Sequence, residues 1–351
     1  MTVRAAIVSG FWAQNIGNAF FNLGGHYAAE QVLGPGSVQF IQDQPGYWTL
    51  NYRKNPQNAF DLIADANVEY LFIQGPVLSQ IYRKVWAKTL DQCVSRGVKI
   101  VLLGAALFRY SPEEIRDVRE MLQKYPPHLV STRDQESYDA IKDVVPRCYA
   151  GIDSAFFVPH VYTPVPLRTP IIVNNFDRFP EPKVEVVQGE PKAKSDNTYV
   201  FPWHDHQVQV SFPNWLYQFG KGKIRCYLGS LIDGRKLDNE FLGHTIIRPE
   251  HRFSPHIKIK IYKRPNSIVS DEPFTYLTLY GNSALTLSDR VHACVATLAY
   301  GNPAMLFSLS PRTRIFDRLG LSEIRNKPVT LSADKLESER QGVLSFLRNN
   351  L

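Results

Sequence analysis

The chain has 351 residues, 44% apolar and 21% charged, which excludes wholesale disorder and leaves room for two domains of ordinary size. Forty Lys and Arg against thirty-three Asp and Glu give a net charge of +7. That balance suits an anionic partner or simply a solvated basic surface, but the basic residues form no single block, which argues against a nucleic-acid arm.

The opening MTVRAAIVSGFW reads as a buried strand, Ala5–Gly10, rather than as a leader peptide. Val38–Ile41 and Val68–Ile73 are further short strands, the latter ending at Gly75-Pro76. Leu78–Arg96 has helical periodicity and stops at Gly97. Val98–Gly104 is the strongest strand. The longest apolar run, near Val98–Phe108, is far short of the roughly 20 residues a bilayer span needs. Ser111-Pro112-Glu113-Glu114 opens a helix, with serine as cap, proline at the first position and acids in the first turn. His128–Ser131 is a strand, Asp134–Val144 a helix and Cys148–Gly151 a last short strand. Strand and helix alternating with short connectors predict a parallel sheet covered on both faces.

Pro159, Pro164, Pro166 and Pro170 then mark a linker, and the expected boundary falls near residue 165, giving domains 1–165 and 166–351. The second half resumes with strands at Ile171–Asn175, Lys223–Leu228, His244–Ile247, Ser267–Ser270, Ala284–Ser288 and Ala304–Phe307. Asp177–Asn197 reads as a polar loop. Helices are expected at Val291–Tyr300, Arg312–Leu319 and Ala333–Asn349, the last grouped with the second domain. The fold class is therefore α/β, with two Rossmann-like halves facing each other across a cleft. Ligands of such sheets sit beyond the carboxyl ends of the strands.

The four cysteines, Cys93, Cys148, Cys226 and Cys294, stand far apart without a Cys-x-x-Cys, against a zinc ribbon or a disulfide framework. The absence of an Asn-x-Ser/Thr acceptor favours the cytoplasm. No Walker A sequence, nucleophile elbow or dinucleotide fingerprint is present. His204-Asp205-His206 would share a face if it lay on a strand, but no third ligand follows, and a solvated loop accounts for it as well. Exposed Trp203, Trp215 and Tyr217 would suit sugar or lipid, and core packing would suit each of them too. The sharpest segment is Ser288-Asp289-Arg290-Val291-His292, where a strand delivers an arginine and a histidine to a helix start. Unpaired N–H groups there favour an anion, an arginine adds a bidentate fork, and a histidine can carry a proton. A locally capped helix with Arg290 paired and His292 half-buried would read the same way. Ser131-Thr132-Arg133-Asp134 and Ser310-Pro311-Arg312-Thr313-Arg314 repeat the layout. Three arginine-bearing loops would converge on one strongly anionic ligand, although any one of them alone is as readily a surface ion pair.

These segments resemble the polysaccharide pyruvyl transferase family. Asn15-Ile16-Gly17-Asn18 is similar to its Asn-x-Gly-Asp, Gln74-Gly75-Pro76 to a triple-glycine turn, and Arg133-Asp134-Gln135-Glu136-Ser137 to its Arg-Asp-x-x-Ser. Asp153-Ser154-Ala155-Phe156 is similar to its Asp-Pro-Ala-Phe, and Arg290-Val291-His292 to its Arg-x-His, with Gly301-Asn302-Pro303 following. The resemblance implies a fold like that of GT-B glycosyltransferases. It implies transfer of the enolpyruvyl unit of phosphoenolpyruvate onto two hydroxyls of a sugar, in a polysaccharide or its carrier-linked precursor, giving a cyclic ketal and phosphate. Arg133, Arg290, Val291, His292 and Arg312 would hold the donor, with His292, Arg290 and Arg133 catalytic. Asn15, Gly17, Asn18 and Gly75 would line the acceptor side. No metal or cofactor is called for. The expected partners are phosphoenolpyruvate and a saccharide, with the protein in the cytoplasm or at the inner face of a membrane. Asn18 replaces a common aspartate and Arg312 a common lysine, which puts their roles in question. A nucleotide-sugar glycosyltransferase and a non-catalytic glycan-binding relative stay open as other classes.

Overall fold

The computed structural model describes residues 2–10, 12–42, 61–79, 86–177, 179–188, 197–212, 235–251, 264–308 and 310–351. The expected strand Lys223–Leu228, Cys226, Trp215 and Tyr217 lie outside these residues, as does part of the expected helix Leu78–Arg96.

The first sheet holds β1 (Ala5–Ser9), β2 (Val38–Gln42), β3 (Tyr70–Gln74), β4 (Lys99–Ala105), β5 (Leu129–Thr132) and β6 (Cys148–Ala150), in the order β2-β1-β3-β4-β5-β6. All its pairs are parallel. Its inner strands are continuous apolar runs because both faces are covered. The chain reverses its direction of growth between β1 and β3, so a crevice opens beyond their carboxyl ends.

Helix α1 (Gly17–Leu33) leaves that crevice and was not visible as a period in the sequence. Phe20, Phe21, Ala28 and Ala29 are buried around its circumference, so it carries no polar stripe. Gly24 is needed there: a Cβ would stand 1.9 Å from the Ser154 carbonyl oxygen. Helices α2 (Ala87–Ser95), α3 (Pro112–Lys124) and α4 (Gln135–Ile141) complete this half. Ser111 caps α3 by accepting from the Glu114 N–H, as the sequence anticipated.

The second sheet is built on β7 (Ile171–Asn175). A three-stranded antiparallel sheet follows, made of β8 (Lys183–Val186), β9 (Thr198–Trp203) and β10 (His206–Ser211) in the order β8-β10-β9. Strand β8 corrects the reading of Asp177–Asn197 as loop. Next come β11 (Glu240–Phe241), β12 (His244–Pro249), β13 (Ser267–Ile268), β14 (Ser283–Ser288) and β15 (Ala304–Leu306). The order is β11-β12-β7-β14-β15, with β13 beside β12. Here the reversal lies at β7, so the loops after β7 and β14 meet. Helices α5 (Pro273–Gly281), α6 (Val291–Ala299) and α7 (Ala333–Arg348) follow in chain order.

One core runs through both halves, joining Ile7, Phe20 and Phe156 to Val173, Tyr280 and Val295. Truncating a fully buried phenylalanine such as Phe20 to alanine would cost about 3–5 kcal/mol. A second core, with Phe176, Phe201, Trp203 and Val208, lies under the small sheet. Trp203 is thus a core residue stacked on Phe241, not an exposed platform. His204 and Asp205 form the β9–β10 turn, His204 at φ +50°, so His204 and His206 do not share a strand face. Helix α7, at the end of the second half, bridges both. Arg340 donates twice to the Phe156 carbonyl and Tyr70 donates to that of Leu351 at 2.7 Å, while Lys335 reaches Leu319 of the second half. Among the described residues, no helix is long and apolar enough to cross a membrane.

Candidate active site

Strand β5 ends at Thr132 and is followed by Arg133 and Asp134, and the neighbours of Arg133 explain why it can point inward. Asp134 caps α4 by accepting from the Ser137 N–H at 2.8 Å, and takes the Ser137 and Tyr110 hydroxyls at 2.9 Å each. The Ser137 hydroxyl in turn accepts from the Leu107 N–H. Asp134 and Ser137 are therefore scaffold. Arg133 turns away from them and donates to Asp153 at 2.8 Å, both side chains being almost wholly buried.

In the second half, β14 delivers Ser288, Asp289 and Arg290 to α6. The Ser288 hydroxyl accepts from the Arg290 N–H at 2.9 Å. Asp289 accepts from the backbone N–H groups of Asp177 and Phe179, which ties down the loop after β7. The Arg290 guanidinium lies 3.3 Å from Asp177 and donates to Asn15 of the first half. Asn15 itself donates to Asn18 at 2.8 Å. Among the described residues no side chain caps α6, so its first N–H groups are open to an anion.

His292 enters the same space. Its Nε2 stands 3.4 Å from the Asp153 carboxylate, and its ring lies 5.3 Å from that of Phe21. Gly17 makes room for it, since a Cβ there would come 2.9 Å from the His292 Cβ. Arg312 arrives from the loop after β15, its Nε 3.3 Å from the Ser310 hydroxyl. The resulting cleft is lined by Asn15, Asn18, Phe21, Pro76, Arg133, His251, Asp289, Arg290, Val291, His292, Ser308, Ser310 and Arg312.

Burial works against the charge on Asp153, yet His292, Arg133 and the Ala155 N–H together hold its carboxyl well below the usual carboxylate range. Burial pushes His292 below the ordinary histidine range. Asp153 opposes that shift, while Arg133 and Arg312 add to it. The arrangement gathers three arginines, two of them paired with aspartates, around a histidine whose charged form burial disfavours.

The polysaccharide pyruvyl transferase family profile matches residues 86–311, well over half of the chain. The chain belongs to that family. No curated protein sequence matches it significantly. Among solved structures, the UDP-GlcNAc 2-epimerase from Neisseria meningitidis bound to UDP-GlcNAc is similar, with 11% identity, a TM-score of 0.50, and coverage of 99% of this chain and 100% of that one. The Methanocaldococcus jannaschii UDP-GlcNAc 2-epimerase, in complex with UDP-GlcNAc and UDP, matches with 12% identity, a TM-score of 0.48, and coverage of 99% and 93%. At 11% identity the Neisseria likeness speaks for the fold alone, which is GT-B-like.

The site residues expected from sequence fall into two groups. Arg133, Arg290, Val291, His292, Arg312, Asn15 and Asn18 all line the cleft. Gly17 and Gly75 lie behind it, Gly17 against His292 and Gly75 at φ +84° against the Phe21 ring. Arg314 does not join them; it pairs with Glu136 at 2.9 Å. Of the local reading of the Ser288–His292 segment only part holds: Arg290 is paired with Asp177, but among the described residues no side chain caps α6, and Arg290 and His292 open on the cleft. Sequence reasoning gave no role to Asp153, noted only within the segment similar to Asp-Pro-Ala-Phe, or to Asp177 and His251. Each directly follows a strand or its first turn, so the rule that ligands lie beyond strand ends was the available signal.

Proposed function

We propose that the protein transfers the enolpyruvyl unit of phosphoenolpyruvate onto two hydroxyls of a saccharide, in a polysaccharide or its carrier-linked precursor. The product is a cyclic pyruvate ketal and phosphate leaves. The observation that supports this most is the meeting of Arg133, Arg290 and Arg312 with His292 at the uncapped start of α6. Phosphoenolpyruvate carries a carboxylate and a phosphate, and several guanidinium groups with a helix N-terminus are a matched receptor for both.

The chemistry follows from that placement. Donor charge beside His292 raises its proton affinity, so the imidazole takes up a proton as the donor binds. The imidazolium gives that proton to the methylene carbon, and carbon two becomes cationic in character. The first sugar hydroxyl bonds to carbon two and returns its proton to His292. The carbon–oxygen bond to phosphate then breaks, assisted by the arginines. The second hydroxyl closes the ketal and its proton leaves on the phosphate. General acid catalysis of this kind contributes typically about 10²–10⁴-fold, and preorganised charge on the leaving group adds to it. Asp153 holds His292 in place and stabilises its charged form.

Melting temperatures with phosphoenolpyruvate and with UDP-sugars test the reading, since only the true donor stabilises by RT ln(1 + [L]/Kd). Phosphoenolpyruvate should raise the midpoint and UDP-sugars should not. Equal or greater stabilisation by a UDP-sugar would replace this reading by glycosyl transfer.

A further inference from the structure

The loops after β4 and β15 meet at the edge of the cleft. Phe108 and Tyr110 stand two residues apart on the first, and Arg312 and Arg314 two apart where the second winds into a 3-10 turn, Pro311–Thr313, and the short helix Arg314–Arg318. The Arg312 guanidinium lies 5.2 Å from the Phe108 ring centroid, and that of Arg314 lies 4.5 Å from the ring of Tyr110. Of the two arginines, Arg312 lines the cleft.

The ring-bearing loop is stiff. One Glu114 carboxylate oxygen accepts from the backbone N–H groups of Phe108, Arg109 and Tyr110 at 3.1, 2.7 and 2.7 Å. The Leu107 N–H is held by Ser137, and the Tyr110 hydroxyl by Asp134. These bonds keep Tyr110 at φ +60°, a conformation that costs a non-glycine residue energy. The loop's only large exposed apolar side chain is Phe108, 37% exposed, and it faces the arginine. A long arginine loses much rotamer freedom when fixed, and a planar guanidinium stacks on an aromatic face where a lysine ammonium has no plane to offer.

We propose that Phe108 is a positioning residue for Arg312: its ring seats the guanidinium in the cleft before the anionic donor arrives. The proposal rests on the donor reading above. It makes donor affinity depend on a side chain of the first half that does not itself touch the donor.

The test measures binding of phosphoenolpyruvate and of orthophosphate by titration calorimetry, with melting temperatures and steady-state kinetics, on wild type, Phe108→Leu, Phe108→Tyr, Arg312→Lys and Phe108→Leu/Arg312→Lys. An exposed ring–guanidinium pair corresponds to about a two- to fivefold change in affinity. Phe108→Leu should weaken phosphoenolpyruvate by that factor, raising KM while leaving kcat and the melting temperature near wild type. Phe108→Tyr should retain wild-type affinity. Arg312→Lys should weaken binding in the wild-type background and add little once Phe108 is leucine. Unchanged affinity in Phe108→Leu, or two losses that simply multiply, would overturn the proposal and leave the donor reading intact. A wild type that binds neither anion would overturn both.

Discussion

Arg248 and Arg133 are both 2% exposed in their side chains, and each faces a buried carboxylate at 2.8 Å, Glu181 and Asp153 respectively. Around Arg248 every direction is closed. Its Nε donates to Glu181, its Nη1 to the Pro265 carbonyl and its Nη2 to that of Asp238. Glu181 also accepts from Asn174 at 3.0 Å. Around Arg133 the arrangement is open. Among the described residues its guanidinium donates to Asp153 alone, and Asp153 is shared with His292 at the cleft wall. The difference shows how one residue pair serves two ends. A guanidinium bonded through all three nitrogens pegs the β7–β12 region of the second half, while one bonded on a single side keeps donors in reserve for a ligand.

The comparison predicts opposite consequences for the two regions. On the open side, His292→Gln should lower turnover by about 10²–10⁴-fold with donor affinity largely kept. Arg290→Ala should instead weaken donor binding by about ten- to a hundredfold, the value of a charge-assisted pair. Turnover and donor affinity measured on the same folded samples separate the two, and near-normal turnover in His292→Gln would remove it from the acid role. On the closed side, Glu181→Ala leaves Arg248 buried and unpaired. It should lower unfolding stability by about 3–5 kcal/mol in denaturant titrations. The donor Kd of the folded fraction should stay at the wild-type value. Loss of donor binding in Glu181→Ala would mean that the two regions are not separate.

Apart from the two-residue edge strand β11, the described strands of the two parallel sheets were legible to within a residue or two, because strands covered on both faces, such as Lys99–Ala105, are uninterrupted apolar runs. Helix α1 was not, because it is buried all round and holds Gly24 and Gly25, so no 3.6-residue stripe survives. The short strands β8 to β10 were hidden by polar residues on their solvent side. At the site, Arg133, Arg290, His292 and Arg312 could be read because each lies where a strand hands over to a helix. Asp153 could not be valued from its own segment. Its role exists only through Arg133, twenty residues away, and His292, 139 away. The Phe108–Arg312 contact is of the same kind, a pairing between loops of different halves that no local pattern encodes.

The smallest expected effect is a pH dependence whose sign differs between the empty and the loaded cleft. In the empty protein His292 titrates below the ordinary histidine value of 6.5, chiefly because it is buried. Between its folded value and 6.5 the unfolded chain holds more protons, so stability rises with pH across that window and levels off above it. Asp153 acts in the same direction further down. Its carboxyl is held low in the folded state, so its contribution is complete above the ordinary carboxylate value near 3.9 and is lost as pH falls through the folded value. Acid therefore weakens the bare fold through both groups. Donor binding runs the other way, because a strongly anionic molecule beside His292 favours its protonated form and binding takes up a proton. The stabilisation added by phosphoenolpyruvate should thus grow as pH is lowered from about 8.5 to 7, a range above the phosphate's own protonation near pH 6. Melting midpoints with and without donor, taken across that range, give the slope directly. In His292→Gln the slope should flatten, because the group that accepts the proton is gone. A donor-induced shift independent of pH in the wild type would show that His292 is already charged or lies too far from the donor to feel it. Its role as the proton source would then have to pass to another group in the cleft.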